Sequence, residues 1–95
     1  MKKLKTLTIK YLDIHDFSFL ANLESLQRLD LSGTPFSQDA VLSRLKNLQQ
    51  LNLSGTGFSD CSILLQLPKL KKVNLMNCNL QNEDVLQQLT ADILK

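Results

Sequence analysis

The chain is short of the residues that most enzymes depend on. It has one histidine, His15, two cysteines, Cys61 and Cys78, one tyrosine and no tryptophan. A single imidazole between Ile14 and Asp16, at a turn, reads as an exposed loop residue rather than a general base. Together with two cysteines at unrelated positions it falls short of a metal site, so no metal is expected. The cysteines form no CxxC, and free thiols are the expectation for a chain of this kind. GxSxG, HExxH, a phosphate-binding glycine loop and any cysteine–histidine pair in register are all missing, which excludes the common catalytic and cofactor-binding motifs. No enzyme activity, cofactor or small-molecule substrate is therefore expected.

Long apolar runs are missing too. Nothing approaches the roughly 18 consecutive apolar residues of a membrane span. The opening MKKLKTLTIKYL has the basic start of a secretory signal but neither an apolar region nor a cleavage site behind it. The expected address is cytoplasmic, with delivery into a host cell left open. Nor is there an excess of one charge: eleven Lys and Arg stand against nine Asp and Glu, for a net +2. Lys5, Lys10, Arg28, Lys71 and Lys72 lean to one side of the fold, but Asp30 lies among them and Tyr11 is the one aromatic available there for stacking. Nucleic acid is disfavoured on both counts. Asn52-Leu53-Ser54 matches a glycosylation acceptor, yet a repeat demands Leu53, and the match is read as chance.

That repeat dominates what the sequence does contain. LQRLDLSGTPF from Leu26 returns as LQQLNLSGTGF from Leu48, twenty-two residues later. Set in rows of twenty-two from Leu4, the 95 residues place Leu4, Leu26, Leu48 and Leu70 in one column. Further columns read Leu7, Leu29, Leu51, Val73; Ile9, Leu31, Leu53, Leu75; and Ile14, Phe36, Phe58, Leu80. The last read Phe19, Val41, Ile63, Val85; Leu20, Leu42, Leu64, Leu86; and Leu23, Leu45, Leu67, Leu89. Seven apolar columns through four rows without a gap are beyond chance.

Each row carries two periods. Alternation at Leu29, Asp30 and Leu31 is that of a short strand with one buried face. After it Gly33 and Gly55 supply positive φ at a turn; Asn77 tolerates the same conformation, and Tyr11 fits it poorly. Asp16, Gln38, Asp60 and Asn82 then precede apolar pairs spaced as in a helix, and Asp16, Asp60 and Asn82 are good N-caps. A row is thus a strand, a turn and a short α or 3₁₀ segment. A single row cannot bury its own apolar face, but a stack can.

The pattern resembles the leucine-rich repeat family, LxxLxLxxNxL, over Leu26-Gln-Arg-Leu29-Asp-Leu31-Ser-Gly-Thr34-Pro-Phe36 and again from Leu48 and Leu70. Its twenty-two-residue period is similar to that of bacterial internalin-type proteins. The resemblance implies an α/β solenoid of one domain, with parallel strands on the concave side and short helices on the convex side. Four repeats run at approximately 4–25, 26–47, 48–69 and 70–91. A departure is the family's asparagine column, which here reads Leu12, Thr34, Thr56 and Cys78; threonine replaces part of its hydrogen bonding, cysteine little and leucine none.

The ends need special provision in such a stack. Met1-Lys2-Lys3 runs directly into the first strand, and lysines 2, 3, 5 and 10 would discourage that edge from pairing with other chains. At the other end Asp92 stands where a fifth row would want leucine. Val85, Leu86, Leu89 and Ile93 keep helical spacing, which predicts a C-terminal helix over about 83–94 as an improvised cap. Glu83 and Asp84 suit its first turn by opposing the helix dipole.

The resemblance also implies a function: leucine-rich repeat proteins commonly dock protein partners on the concave strand face. Residues flanking the inward leucines project there, giving Thr8, Lys10, Tyr11, Arg28, Asp30, Gln50, Asn52, Lys72, Asn74 and Met76 as candidate contacts. Thr8, Asp30, Asn52 and Asn74 make a polar stripe, Arg28 and Lys72 flank it, and Tyr11 and Met76 are the apolar anchors. The expected function is a non-enzymatic protein-binding module whose partner is a protein of unknown identity. One alternative is a self-associating structural unit, joined through the poorly capped N-terminal edge, or a fragment of a longer array. Another is a small bacterial or viral effector that occludes a target protein.

Overall fold

A computed structural model describes residues 3–95; Lys2, one of the four lysines assigned to edge protection, lies outside the described residues. Five strands of three residues each, β1 (Thr6–Thr8), β2 (Arg28–Asp30), β3 (Gln50–Asn52), β4 (Lys72–Asn74) and β5 (Asp92–Leu94), form one sheet in chain order. All are parallel, and Leu7, Leu29, Leu51 and Val73 stand side by side. The pairing continues past the strand ends: Leu31 N–H donates to Asn52 O and Leu53 N–H to Asn74 O, both at 2.9 Å. Every row thus hands its peptide groups to the next.

The convex side is 3₁₀ throughout, at Ser18–Asn22, Asp39–Arg44, Cys61–Gln66 and Glu83–Gln88. Their bonds run to the third residue back, as in Leu45 N–H to Leu42 O at 3.0 Å and Leu67 N–H to Leu64 O at 3.2 Å. A 3₁₀ segment rises about 2.0 Å per residue against about 1.5 Å in an α-helix, so it spans the convex side with fewer residues. That suits a repeat as short as this one.

Between the two layers the core is continuous. Phe17, Phe36 and Phe58 are fully buried with Leu20, Leu26, Leu31, Leu42, Leu45, Leu48, Leu53 and Leu64. Phe17 meets Phe36 edge-on, ring centroids 5.1 Å apart, a favoured aromatic geometry. The leucine columns fall inside as their spacing predicts. The Phe19, Val41, Ile63, Val85 column does not: Phe19 is exposed and the other three are half-buried. Phe17 and Cys61 are buried instead; their column runs Phe17, Asp39, Cys61, Glu83, with Asp39 half-buried and Glu83 exposed, and its mixed chemistry hides it from a search for apolar repeats. Burial declines toward both ends, where Leu4, Leu7 and Ile14, and Leu80, Leu89 and Ile93, are only partly covered.

The helix expected over about 83–94 is corrected. The 3₁₀ segment stops at Gln88, Leu89 is extended at φ −83°, ψ 140°, and Asp92–Leu94 is a strand. The return from Leu89 to Ile93 is two residues shorter than that from Leu67 to Val73, so Ile93 pairs with Val73. Asp92 N–H donates to Lys71 O at 2.8 Å, and Leu94 O accepts from Leu75 N–H at 2.6 Å. A helix over these residues would leave the outer edge of β4 unpaired; the strand satisfies it.

The turns resolve a second expectation. Tyr11, Gly33, Gly55 and Asn77 all adopt the left-handed conformation, at φ 59°, 73°, 69° and 60°. For Tyr11 this costs roughly 1–2 kcal/mol, offset by its N–H bond to Ser32 O at 3.0 Å. Its ring lies over Gly33, where an added Cβ would come within 2.2 Å of Tyr11 Cδ1. Below the turns, Thr34 Oγ1 donates to Leu31 O and Thr56 Oγ1 to Leu53 O, each at 2.7 Å. Cys78 Sγ donates to Leu53 O at 3.0 Å, and Leu12 contributes nothing polar and is exposed. The threonines therefore stand in for the family's asparagine in the middle rows only.

Capping is shared between rows. Asp60 Oδ1 accepts from Ser62 N–H at 3.0 Å and Ser62 Oγ at 2.6 Å, and Asp16 Oδ1 does the same for Ser18 at 3.0 and 2.7 Å. Asn82, expected as a cap, is left-handed and makes no cap bond. It reaches back one row instead, Nδ2 to Asp60 Oδ1 at 3.1 Å, as Gln38 Nε2 does to Asp16 Oδ1 at 3.4 Å.

Truncating a fully enclosed side chain should test the gradient of burial. Leu42→Ala is expected to cost about 2–5 kcal/mol, and Leu7→Ala, in the half-covered first row, no more than about half of that. Urea denaturation of the two variants beside the wild type measures both.

Candidate functional site

The concave side of the sheet is a groove of about 550 Å³, lined by residues from all five strands. Its outward side chains fall in two columns: Thr6, Arg28, Gln50, Lys72 and Asp92, and Thr8, Asp30, Asn52, Asn74 and Leu94. Alternation along each strand puts these residues out and the leucines in. Of the predicted contacts, Thr8, Arg28, Asp30, Gln50, Asn52, Lys72 and Asn74 are brought together here. Lys10, Tyr11 and Met76 do not line the groove; they follow the strand ends, where Tyr11 is 79% exposed and Met76 43%.

The polar stripe is only partly available to a partner. Asp30 Oδ1 accepts from Ser32 N–H, Asn52 Oδ1 from Ser54 N–H and Asn74 Oδ1 from Met76 N–H, all at 3.0 Å. These bonds to the second residue on are Asx turns, which fix where each strand ends. Asp30 Oδ2 meets Lys10 Nζ at 3.6 Å, an exposed pair that contributes at most about 1 kcal/mol but neutralises the stripe's one carboxylate. What remains outward is the Nδ2 of the two asparagines. Arg28, Gln50 and Lys72 are exposed, and neither cation is in an ion pair among the described residues. Strands about 4.8 Å apart put the two cations roughly 10 Å from one another.

Asp92 and Leu94 belong to this surface and were missed, because a fixed period of twenty-two assigned them to a helix. A reading that allowed two residues to drop out between Leu89 and Ile93 would have found them.

No protein-family model matches the chain, and neither does any curated protein. Solved structures do. An internalin (InlF) of Listeria monocytogenes superposes with a TM-score of 0.82 at 34% identity over 97% of this chain. Internalin C2 of the same species gives 0.76 at 28% identity over 94%. The chain is a leucine-rich repeat protein. It spans 28% of the first internalin chain and 40% of the second.

Within this leucine-rich repeat, the other reactive groups are held apart from the groove. His15 Nε2 meets Asp13 Oδ1 at 2.8 Å on an open loop. Both thiols are free, Cys61 buried and Cys78 partly so. Burial pushes the Cys61 thiol up, with Glu83 and Asp60 adding to it, which keeps it a thiol rather than a thiolate. No three His, Cys, Asp or Glu side chains gather where they could hold a metal ion among the described residues. No helix of the described residues is long and apolar enough to cross a membrane.

Two measurements separate the built-in bonds of the leucine-rich repeat from its free groups. Asn52→Ala should cost about 0.5–1.5 kcal/mol by loss of the Asx bond, while Asp30→Asn, which keeps Oδ1, should leave the unfolding midpoint nearly unchanged. Acid behaviour follows from the caps: bonds from Ser62 and Asn82 hold Asp60 below the ordinary 3.8, and bonds from Ser18 and Gln38 do so for Asp16. Their stabilisation is complete above the unfolded value and lost as pH falls through the folded one. The urea midpoint should therefore drop as pH falls below about 4, and less so in Asp60→Asn.

Proposed function

We propose that this leucine-rich repeat chain is a non-enzymatic protein-binding module that docks a protein partner across its concave strand face. The observation that carries the reading is the pair of exposed cations Arg28 and Lys72, in no ion pair among the described residues, on a sheet whose neighbouring side chains are fixed by their own backbone bonds. A grid of this kind loses little conformational freedom on binding, since Asn52 and Asn74 are already oriented. Arg28 and Lys72 pair with acidic groups of the partner, Gln50 and the asparagine amides complete hydrogen bonds between them, and Tyr11 and Met76 supply apolar contact at the rim. The likeness to internalins supports a protein partner over a small molecule.

Affinity capture from lysate, read by mass spectrometry, tests this with wild type, Arg28→Glu/Lys72→Glu and a convex-side control, Gln87→Lys. The expected outcome is a protein held by wild type and control alike and reduced at least about tenfold with the double variant. Equal capture by all three forms would remove the concave face as the site.

A further inference from the structure

Charge is sorted along each row. The strands all run the same way, so the residues leading into them share one flank of the solenoid and the residues leading out share the other. The leading-in flank is basic: Lys5 and Lys71 directly precede β1 and β4, Lys46 and Lys69 lie in the links to β3 and β4, and Arg28 and Lys72 open β2 and β4. These six side chains are exposed. The leading-out flank is acidic, with Asp13, Asp16, Asp39, Asp60, Glu83 and Asp84 ahead of or at the start of the 3₁₀ segments. We propose that the leading-in flank, together with the strand column that holds Arg28 and Lys72, binds an acidic helix of the protein partner. The helix lies across the rows with carboxylates at one-turn intervals on one face. This names the partner's recognition element and rests on docking at the concave face.

The cations are placed without being neutralised. Lys46 Nζ donates to Gln66 O at 3.1 Å, and Lys69 Nζ to Asn47 Oδ1 at 2.9 Å. Both acceptors are neutral and lie one row away, so the ammonium groups are held across the rows and keep their charge. None of the six cations is in an ion pair among the described residues. Glu24 stands beside Lys46 in the repeat and Asp92 beside Lys72 in the sheet, yet neither carboxylate closes a pair with its neighbour. On the other flank, bonds from Ser18 and Ser62 hold Asp16 and Asp60 below the ordinary carboxylate range, which keeps that side negative at neutral pH. A helix bearing carboxylates is drawn to one flank and repelled by the other.

Spacing selects a helix over an extended chain. Neighbouring rows are about 4.8 Å apart. One face of an α-helix repeats about every 5.4 Å, so carboxylates one turn apart slip by about 0.6 Å per row and stay matched along the solenoid. An extended chain repeats on one face about every 6.8 Å, slips by about 2 Å per row and is nearly a full row out of step after two. Nucleic acid fits less well, because this flank carries no aromatic side chain on which a base could stack. A helix is about 10 Å across, which leaves Tyr11 and Met76, beyond the far ends of the strands, to other parts of the same partner.

Two fluorescein-labelled, alanine-based peptides of identical composition test this by anisotropy. One carries glutamates on a single face, at i, i+4, i+7 and i+11; the other spreads them around the helix. The single-face peptide should bind the wild-type chain at least about fivefold more tightly than the spread one, and raising salt from about 20 to about 200 mM should weaken it at least about tenfold. Lys46→Glu/Lys69→Glu should weaken it at least about threefold with unchanged circular dichroism, as should Lys5→Gln/Lys71→Gln, which disturbs no side-chain bond, while Gln87→Glu on the convex side should not. Equal binding of the two peptides would overturn the helix, even where capture of a protein still depends on Arg28 and Lys72 and the concave face stands. Binding indifferent to the flank variants, or tighter binding of a single-stranded oligothymidylate than of the single-face peptide, would overturn it too. Peptide binding that follows the flank variants but ignores Arg28→Glu/Lys72→Glu would support the flank and remove the concave face instead.

Discussion

No row of this protein holds itself together. A strand of three residues and a 3₁₀ segment of five or six have neither the length to nucleate alone nor a second apolar surface to pack against. The constraint that makes them a fold is the repeat-to-repeat register. Peptide groups and leucines find their partners one row away, and the capping carboxylates Asp16 and Asp60 accept from Gln38 and Asn82 of the next row besides the serines of their own. Stability is then a sum of interfaces between neighbours, and the half-covered leucines of the first and last rows follow directly from having one neighbour instead of two.

Register also explains which parts of the molecule could be read in advance. Columns of identical chemistry, such as Leu26, Leu48 and Leu70, declare their burial because the same demand recurs in every row. Positions filled differently in each row do not. Phe17 is as deeply buried as Phe36, but its column runs on through Asp39, Cys61 and Glu83, and each of these solves its place separately. Asp39 Oδ2 accepts from the backbone N–H of Ser59 and Asp60, at 3.2 and 3.0 Å, and Glu83 turns out to meet Lys95 at 3.3 Å. The strand β5 was hidden for another reason. Helical spacing at Leu89 and Ile93 coincided with a two-residue deletion, and local periodicity cannot tell these apart.

The concave surface was legible as a set of positions and not as a set of available groups. Alternation placed Arg28, Gln50 and Lys72 outward without difficulty. It could not say that Asp30, Asn52 and Asn74 each use one side-chain oxygen to close their own strand, since that bond depends on the turn two residues later. Nor could it place Lys10 against Asp30. The stripe that looked most like a recognition code is thus in part scaffold, and the side-chain groups it leaves free are fewer and more widely spaced.

Gly33 and Tyr11 show the same dependence at the scale of two residues. The ring of one occupies the volume that a side chain on the other would need, while each backbone holds the same left-handed turn. Tolerance at the two positions is therefore joined. A methyl group at 33 forces the largely exposed ring off the turn, and a smaller residue at 11 uncovers the backbone beneath it. A bulky residue at 11 therefore requires glycine at 33, whose own positive φ already disfavours a side chain there.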